Sequence, residues 1–319
     1  MFRNPKAYQR FLLLVTVVIL LFIAASAVGQ PPRILPPSPT LAAQVAVPPT
    51  LEIRQQAAYL TAQGHDQLNR GDPSAALHTW EQALQLYQHS HYPEGITGSQ
   101  INRSLALLAL GHDRQACTTA LTAIRRDRLT EFCRLRDYKN NLTATEQTIL
   151  KQSLATIASS PLTALGLRVA GESLRKLGEI EVAKYLTEQG LAIAESLQLV
   201  PEMAKGYLNL ANIESLFYRN NREIAERRDN KLDTDRQKVL NSAQRVLAVY
   251  HQATQLSDRH PEILELQGIQ DLLRVNQLSF LIEYEQWLNA NQAYLIQGQI
   301  PQSQRWQAIK ADIAIPDDS

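Results

Sequence analysis

The side chains best suited to bind a metal in this 319-residue sequence are three histidines and a glutamate. His89 and His91 follow His78 closely, and Glu94 comes next. Imidazole nitrogens and carboxylates are ligands that Zn²⁺ takes in proteins. The two later histidines, however, fall at the end of a predicted helix and in the loop after it. Surface histidines are therefore the better interpretation, and we predict no metal site.

The two cysteines are the other reactive side chains. Cys117 lies on a predicted helix, at a position that faces the core, and Cys133 follows in a predicted turn. In an exported protein the two could form a disulfide. The pattern favours two separate thiols, and both alternatives stay open at the level of the sequence.

Catalytic motifs are not found in the sequence. It contains no glycine-rich phosphate loop, no serine elbow and no pair of carboxylates placed for acid–base chemistry. We therefore predict that the protein is not an enzyme and that it needs no cofactor.

Four stretches of the chain repeat one helix-turn-helix unit. Aligning the turn glycines Gly71, Gly111 and Gly178 brings small residues into register on both helices. These small residues are Gly64, Ser104 and Gly171 on the first helix, and Ala76, Ala116 and Ala183 on the second. Self-similarity at a period of about 34 residues indicates a helical repeat array.

The clearest copy spans residues 57–86. Leu60, Gly64 and Leu68 form one stripe of a first helix. Asp72 can cap the second helix, and Pro73 fits its first turn because the missing N–H costs nothing there. A bulky side chain then fills the space left by the small residues. The copy therefore predicts two closely packed antiparallel helices.

Six residues of this copy match the tetratricopeptide repeat (TPR) pattern: Gly64, Gly71, Asp72, Ala76, Trp80 and Ala83. The chain thus resembles TPR proteins over roughly residues 55–300. The resemblance implies an all-α fold, an irregular TPR-type α-solenoid of antiparallel helix hairpins. It also implies that the protein binds other proteins.

Residues 97–123 and 277–283, with Trp287, resemble the amino-terminal TPR region of cyanobacterial CHAT-domain proteins. The cysteine-peptidase-like domain that follows the repeats in that family has no room before Ser319, so no activity carries over. We favour a scaffold or adaptor. The alternative is the repeat half of a truncated or split CHAT-type protein.

The later parts of the array depart from the strict period. A capping box at Thr143–Glu146 predicts an extra helix that ends near Ser160. Its predicted core-facing residues are Ile149, Leu150, Leu154 and Ile157. The charged residues 219–238 are interpreted as an extended helical hairpin or loop. We predict a fifth hairpin over residues 261–297. A lone helix over residues 302–313 would be a cap or the first half of a further unit.

The amino terminus predicts export. Basic residues precede an apolar run from Phe11 to Val28, and Ala25 and Ala27 are small residues at the spacing of a cleavage site. We favour a cleaved signal, with a retained membrane anchor as the alternative because the run is nearly long enough to span a bilayer. The predicted divisions are 1–29 signal or anchor, 30–50 proline-rich linker and 51–319 repeat domain.

The charge balance of the sequence predicts that the protein does not bind nucleic acid. The formal charge is +1, and without the three basic residues of the leader it is −2 (1 − 3). A phosphate-binding domain would carry a clear basic excess.

The resemblance to TPR domains implies a concave groove lined by first helices. The candidate partner-binding residues there are Asn102, Arg168, Arg175, Lys205, Asn209 and Asn212. The asparagine amides could satisfy both groups of an extended peptide backbone. Arg168 and Arg175, two turns apart, favour an acidic protein or peptide. The alternative is that these polar side chains only keep the surface hydrated.

Overall fold

The computed structural model describes residues 49–134, 142–227 and 233–291, and within them all regular structure is helical. The helices are α1 Pro49–Asn69, α2 Pro73–His89, α3 Pro93–Ala109, α4 Asp113–Ala123, α5 Ala144–Ala155, α6 Pro161–Lys176, α7 Ile180–Ser196, α8 Val200–Arg227, α9 Asp233–Arg259 and α10 Leu264–Ala290, with a 3₁₀ helix at Asp127–Cys133. The prediction of an all-α chain is confirmed for these residues.

Helices that follow one another along the chain pack together as hairpins. α1 packs on α2, α3 on α4, α6 on α7 and α8 on α9, and each hairpin also contacts the next. The first helices also contact one another directly, because α3 touches α6 and α6 touches α8, and α8 in turn touches the single helix α10. This consecutive packing is compatible with an α-solenoid.

Close packing within the hairpins depends on small residues opposite large ones. Trp80 is fully buried, and its indole N–H donates to the carbonyl of Thr61 at 3.1 Å. A Cβ atom on Gly64 would lie 2.3 Å from the indole nitrogen. Ala76 and Ala116 are also fully buried. The predicted complementarity of small and bulky residues is confirmed in this copy.

The turns within hairpins need a left-handed backbone. Gly71, Gly111 and Gly178 have φ of 81°, 78° and 86°. At Gly71, the N–H of the next residue, Asp72, donates to the carbonyl of Gln67 and so closes the end of α1. Glycine carries no Cβ penalty at such a φ, which explains why the turn glycines recur at one position.

The segment between the second and third complete hairpins is held by a capping box and a disulfide. Thr143 and Glu146 form the predicted capping box at the start of α5. α5 ends at Ala155 rather than near Ser160, which instead caps α6. Ile149 is exposed, contrary to prediction, because the neighbouring side of α5 faces the core.

The cysteines form a disulfide, so the preference for two separate thiols is wrong. Cys117 on α4 and Cys133 at the end of the 3₁₀ helix have Cα atoms 5.7 Å apart. Leu129 and Phe132 of the same 3₁₀ helix are buried in the same apolar cluster as the two cysteines. The bond thus links the segment after α4 to the repeat in front of it.

The second half of the array contains long helices. The described residues of the charged region 219–238 lie at the end of α8 and the start of α9. These two helices pack on each other, which agrees with the predicted helical hairpin. The predicted fifth hairpin is wrong, because Leu264–Ala290 is one helix of 27 residues. Trp287, assigned to a second helix, lies on the same helix as Phe280, and both are buried.

Some predictions concern residues outside the described ones. The leader, the linker up to residue 48 and the lone helix at 302–313 belong to this group. Over residues 49–134, 142–227 and 233–291, no helix combines the length and the apolar character that a membrane span requires.

Candidate partner-binding surface

The predicted site residues all lie on the first helices of successive hairpins. We call the adjoining helices α3, α6, α8 and α10 the first-helix row. Asn102 is on α3, Arg168 and Arg175 are on α6, and Lys205, Asn209 and Asn212 are on α8. Because these helices contact one another directly, the row brings side chains from distant parts of the sequence together.

Arg168 joins α6 to α8 through a two-pronged ion pair. Its guanidinium nitrogens lie 2.7 and 3.4 Å from the carboxylate oxygens of Glu202. The side chains are only 13% and 19% exposed. The Lys205 ammonium lies 3.8 Å from the same carboxylate. Two-pronged arginine–carboxylate pairs are among the stronger hydrogen-bonded pairs, so Glu202 neutralises much of this cationic site.

Arg175 is neutralised within its own helix. Its guanidinium forms two hydrogen bonds, of 2.9 and 2.6 Å, with the carboxylate of Glu172. The hydrogen bond to Glu172 raises the pKa of Arg175 above its ordinary value. Lys176 beside it lies 3.7 Å from Asp113. The predicted cationic stripe is therefore a surface on which charges of both signs alternate.

Two of the three predicted asparagines form side-chain hydrogen bonds between helices. Asn102 and Asn209 are 5% and 7% exposed. Asn209 donates to the backbone carbonyl of Arg168 at 3.4 Å, and the amide oxygen of Asn212 accepts from Asn276 at 3.1 Å. The contact of Asn209 joins α8 to α6, and the contact of Asn212 joins α8 to α10. The predicted role of the asparagines in binding a partner stays a prediction.

Two further groups of charged contacts between helices were missed by sequence reasoning. Arg219 on α8 forms hydrogen bonds of 3.0 and 2.7 Å with Glu283 on α10. Glu214 is 3% exposed and accepts from Arg245 at 3.0 Å and from Lys184. A carboxylate this buried needs such partners. No sequence signal could have found them, because the partners lie on different helices, 30 to 64 residues apart.

The candidate metal ligands occupy surface positions. His78 on α2 is hydrogen-bonded to the side chain of Gln82 at 3.1 Å, and His91 lies in the turn after α2. Among the residues that the structure describes, no group of three histidine, cysteine or acidic side chains is arranged to hold a metal ion.

Comparison with protein-family models and with curated protein sequences identified no relative of this chain. The chain matches no protein-family model, and no curated protein sequence is significantly similar to it. The TPR resemblance and its CHAT-associated form stay predictions. The contacts of the first-helix row therefore carry the functional argument.

Proposed function

We propose that the protein is a scaffold of the TPR type that binds another protein along the first-helix row, and that it acts through binding rather than catalysis. Stacked helical hairpins present extended surfaces of this kind to partners. The row contributes side chains from α3, α6, α8 and α10 to one surface. A partner lying across the row would contact several repeats at once.

The observation that carries the proposal is the set of half-buried charged groups on this row. Arg168, Glu202 and Lys205 form one cluster across α6 and α8, and Arg175 and Glu172 form a second one further along α6. An acidic partner would have to displace both glutamates from their arginines. The arrangement therefore favours a partner segment that carries charges of both signs and adds hydrogen bonds to pairs already in place.

The proposed location is outside the cytoplasm, either as an exported protein or anchored through residues 11–28. The Cys117–Cys133 disulfide supports this, because disulfides persist in oxidising compartments and are rare in the cytosol. The leader pattern supports it independently.

Site-specific photocrosslinking tests the binding surface. A photoreactive amino acid would replace Lys205 or Asn212 on the row, and Gln152, an exposed residue of α5, would serve as the control position. The protein would be expressed in its own cells and crosslinked before lysis. We expect one set of proteins to be captured from both row positions and not from Gln152.

Two outcomes would contradict the proposal. Capture of the same proteins from Gln152 would mean that the row is not the binding surface. Failure to capture any protein from Lys205 and Asn212, in protein that circular dichroism shows to be folded, would remove the scaffold function.

A further inference from the structure

Helix α10 is apolar on two opposite faces, and the described chain covers only one of them. The covered face repeats every seven residues, with Leu266, Leu273, Phe280 and Trp287 all at most 3% exposed. The opposite face carries Leu272, Val275, Leu278 and Ile282, which are 48%, 64%, 44% and 50% exposed. Helices that are apolar on all sides are found buried in a protein interior. The second face of α10 therefore needs a cover.

The exposed face has the spacing of a helix-packing stripe. Gly268, Leu272, Val275, Ser279 and Ile282 follow one another at steps of four, three, four and three residues. This alternation keeps a seam facing one partner helix, as in coiled coils. A Cβ atom on Gly268 would meet nothing within 4 Å. Small residues at two of the five positions leave room for large side chains from the other helix.

We propose that residues 302–313 of this chain form the cover, packing as an antiparallel helix on the exposed stripe. They lie outside the described residues, and their sequence carries the matching pattern. Trp306, Ile309 and Ile313 follow one another at steps of three and four, so they would share one helix face. The bulkiest side chain of this segment would face the smaller residues of the stripe.

One antiparallel register matches both stripes. It places Trp306 opposite Ser279, so that the indole lies in the space between two larger neighbours. Ile309 then faces Val275, and Ile313 reaches Leu272. Large-to-small pairing of this kind is what holds Gly64 against Trp80 in the first hairpin, and it follows from the dense packing of protein interiors.

The connecting chain is long enough for this arrangement. In that register residue 302 lies opposite Glu283, about 10 Å back along α10 from its end at a rise of about 1.5 Å per residue. The two helix axes would be about 8–10 Å apart. Residues 292–301 span up to about 33 Å when extended. The antiparallel orientation also brings Asp312 towards Arg274, whose side chain is 73% exposed.

Trypsin can test the proposal in the full-length protein, because the segment contains two cleavage sites, after Arg305 and after Lys310. We would compare wild type with Val275→Asp, which changes a side chain that the described structure leaves exposed. Ile224→Asp, an exposed position on α8, is the matched control. We expect cleavage after Lys310 to be at least tenfold faster in Val275→Asp and unchanged in the control. Equal rates in all three proteins would overturn the proposal.

Cysteine crosslinking identifies the occupant. The pair Val275→Cys and Ile309→Cys should oxidise within one chain, whereas Tyr59→Cys with Ile309→Cys should not, because Tyr59 lies on α1, in the first hairpin. A disulfide between two chains would show that a second copy covers the stripe. If the Val275→Cys and Ile309→Cys pair forms no crosslink although the variant melts at the same temperature as wild type, residues 302–313 do not cover the stripe. Either result would refute the intramolecular cover without affecting the proposed binding row.

Discussion

The turns between hairpins place three residues other than glycine in a left-handed backbone conformation, and this leads to a quantitative prediction. His91, Arg125 and Gln198 have φ of 47°, 58° and 53°. Gln198 is exposed, and its backbone N–H donates to the carbonyl of Glu195 at 3.1 Å. The Gln198→Gly substitution would keep this hydrogen bond and remove the conflict between Cβ and the backbone.

The expected magnitude follows from two opposing effects. The left-handed conformation costs a residue with a Cβ atom roughly 1–2 kcal/mol. Glycine loses more backbone freedom on folding, which costs about 0.5–1 kcal/mol relative to alanine. We therefore expect Gln198→Gly to raise the free energy of unfolding by about 0.5–1 kcal/mol. Adding His91→Gly should give a further similar gain, because the two turns are in different repeats.

Urea unfolding followed by circular dichroism would measure these changes. Two controls test the sign of the effect. Ala62→Gly, at an exposed position inside α1, should destabilise by about 1 kcal/mol, because its backbone is helical. Gly71→Ala should also destabilise by about 1 kcal/mol, since its φ is 81° and a Cβ there would meet nothing within 4 Å. If Gln198→Gly lowers stability as much as Ala62→Gly does, the reasoning about the turns is refuted.

Three further predictions concern the core. Gly64→Ala should cost about 1–3 kcal/mol in urea unfolding, since the new Cβ would overlap Trp80. Replacing Cys117 and Cys133 by alanine should cost about 3 kcal/mol, because the bond closes a loop of about 15 residues in the unfolded chain. Burial raises the pKa of Tyr284 from 10.0 to about 12. The stability contributed by its neutral form is therefore present below pH 10 and is lost as the pH rises through 12.

Each of these predictions has its own control. Gly98→Ala on α3 should be neutral or stabilising, because its Cβ would find only ordinary contact at 3.7 Å; equal losses at Gly64 and Gly98 would contradict the packing argument. The variant with alanine at positions 117 and 133 should have the same free energy of unfolding as wild type whose disulfide has been reduced. For the titration, stability above pH 10 should fall less steeply in Tyr284→Phe than in wild type; equally steep losses in the two proteins would contradict the argument.

Much of the architecture was predictable because its signals are local. The turn glycines, the Asp72 cap and the capping box at Thr143 each depend on residues within one or two helical turns. The predictions failed where the local signal is ambiguous. Apolar residues that recur among polar ones along residues 264–290 are compatible with one long helix or with two shorter ones, so the fifth hairpin was predicted where α10 continues.

The candidate site was predictable only in part. Helical spacing placed Arg168, Arg175 and Asn209 on first helices, and the structure places them there. Their binding partners within the protein could not be read from spacing. Glu202, for example, lies 34 residues from Arg168 and meets it only because α6 and α8 are adjacent. The pairing changes the surface from a cationic stripe to one with charges of both signs.

The amino-acid sequence by itself determined where helices form, where most of them turn and which small residues allow them to pack, because these features depend on neighbouring residues. Only the tertiary structure decided which charges are neutralised, that Cys117 and Cys133 are bonded, and that α10 keeps an apolar face exposed within the described part of the chain. These features depend on distances between helices that are far apart in the chain. Such distances are set by the packing of the whole array.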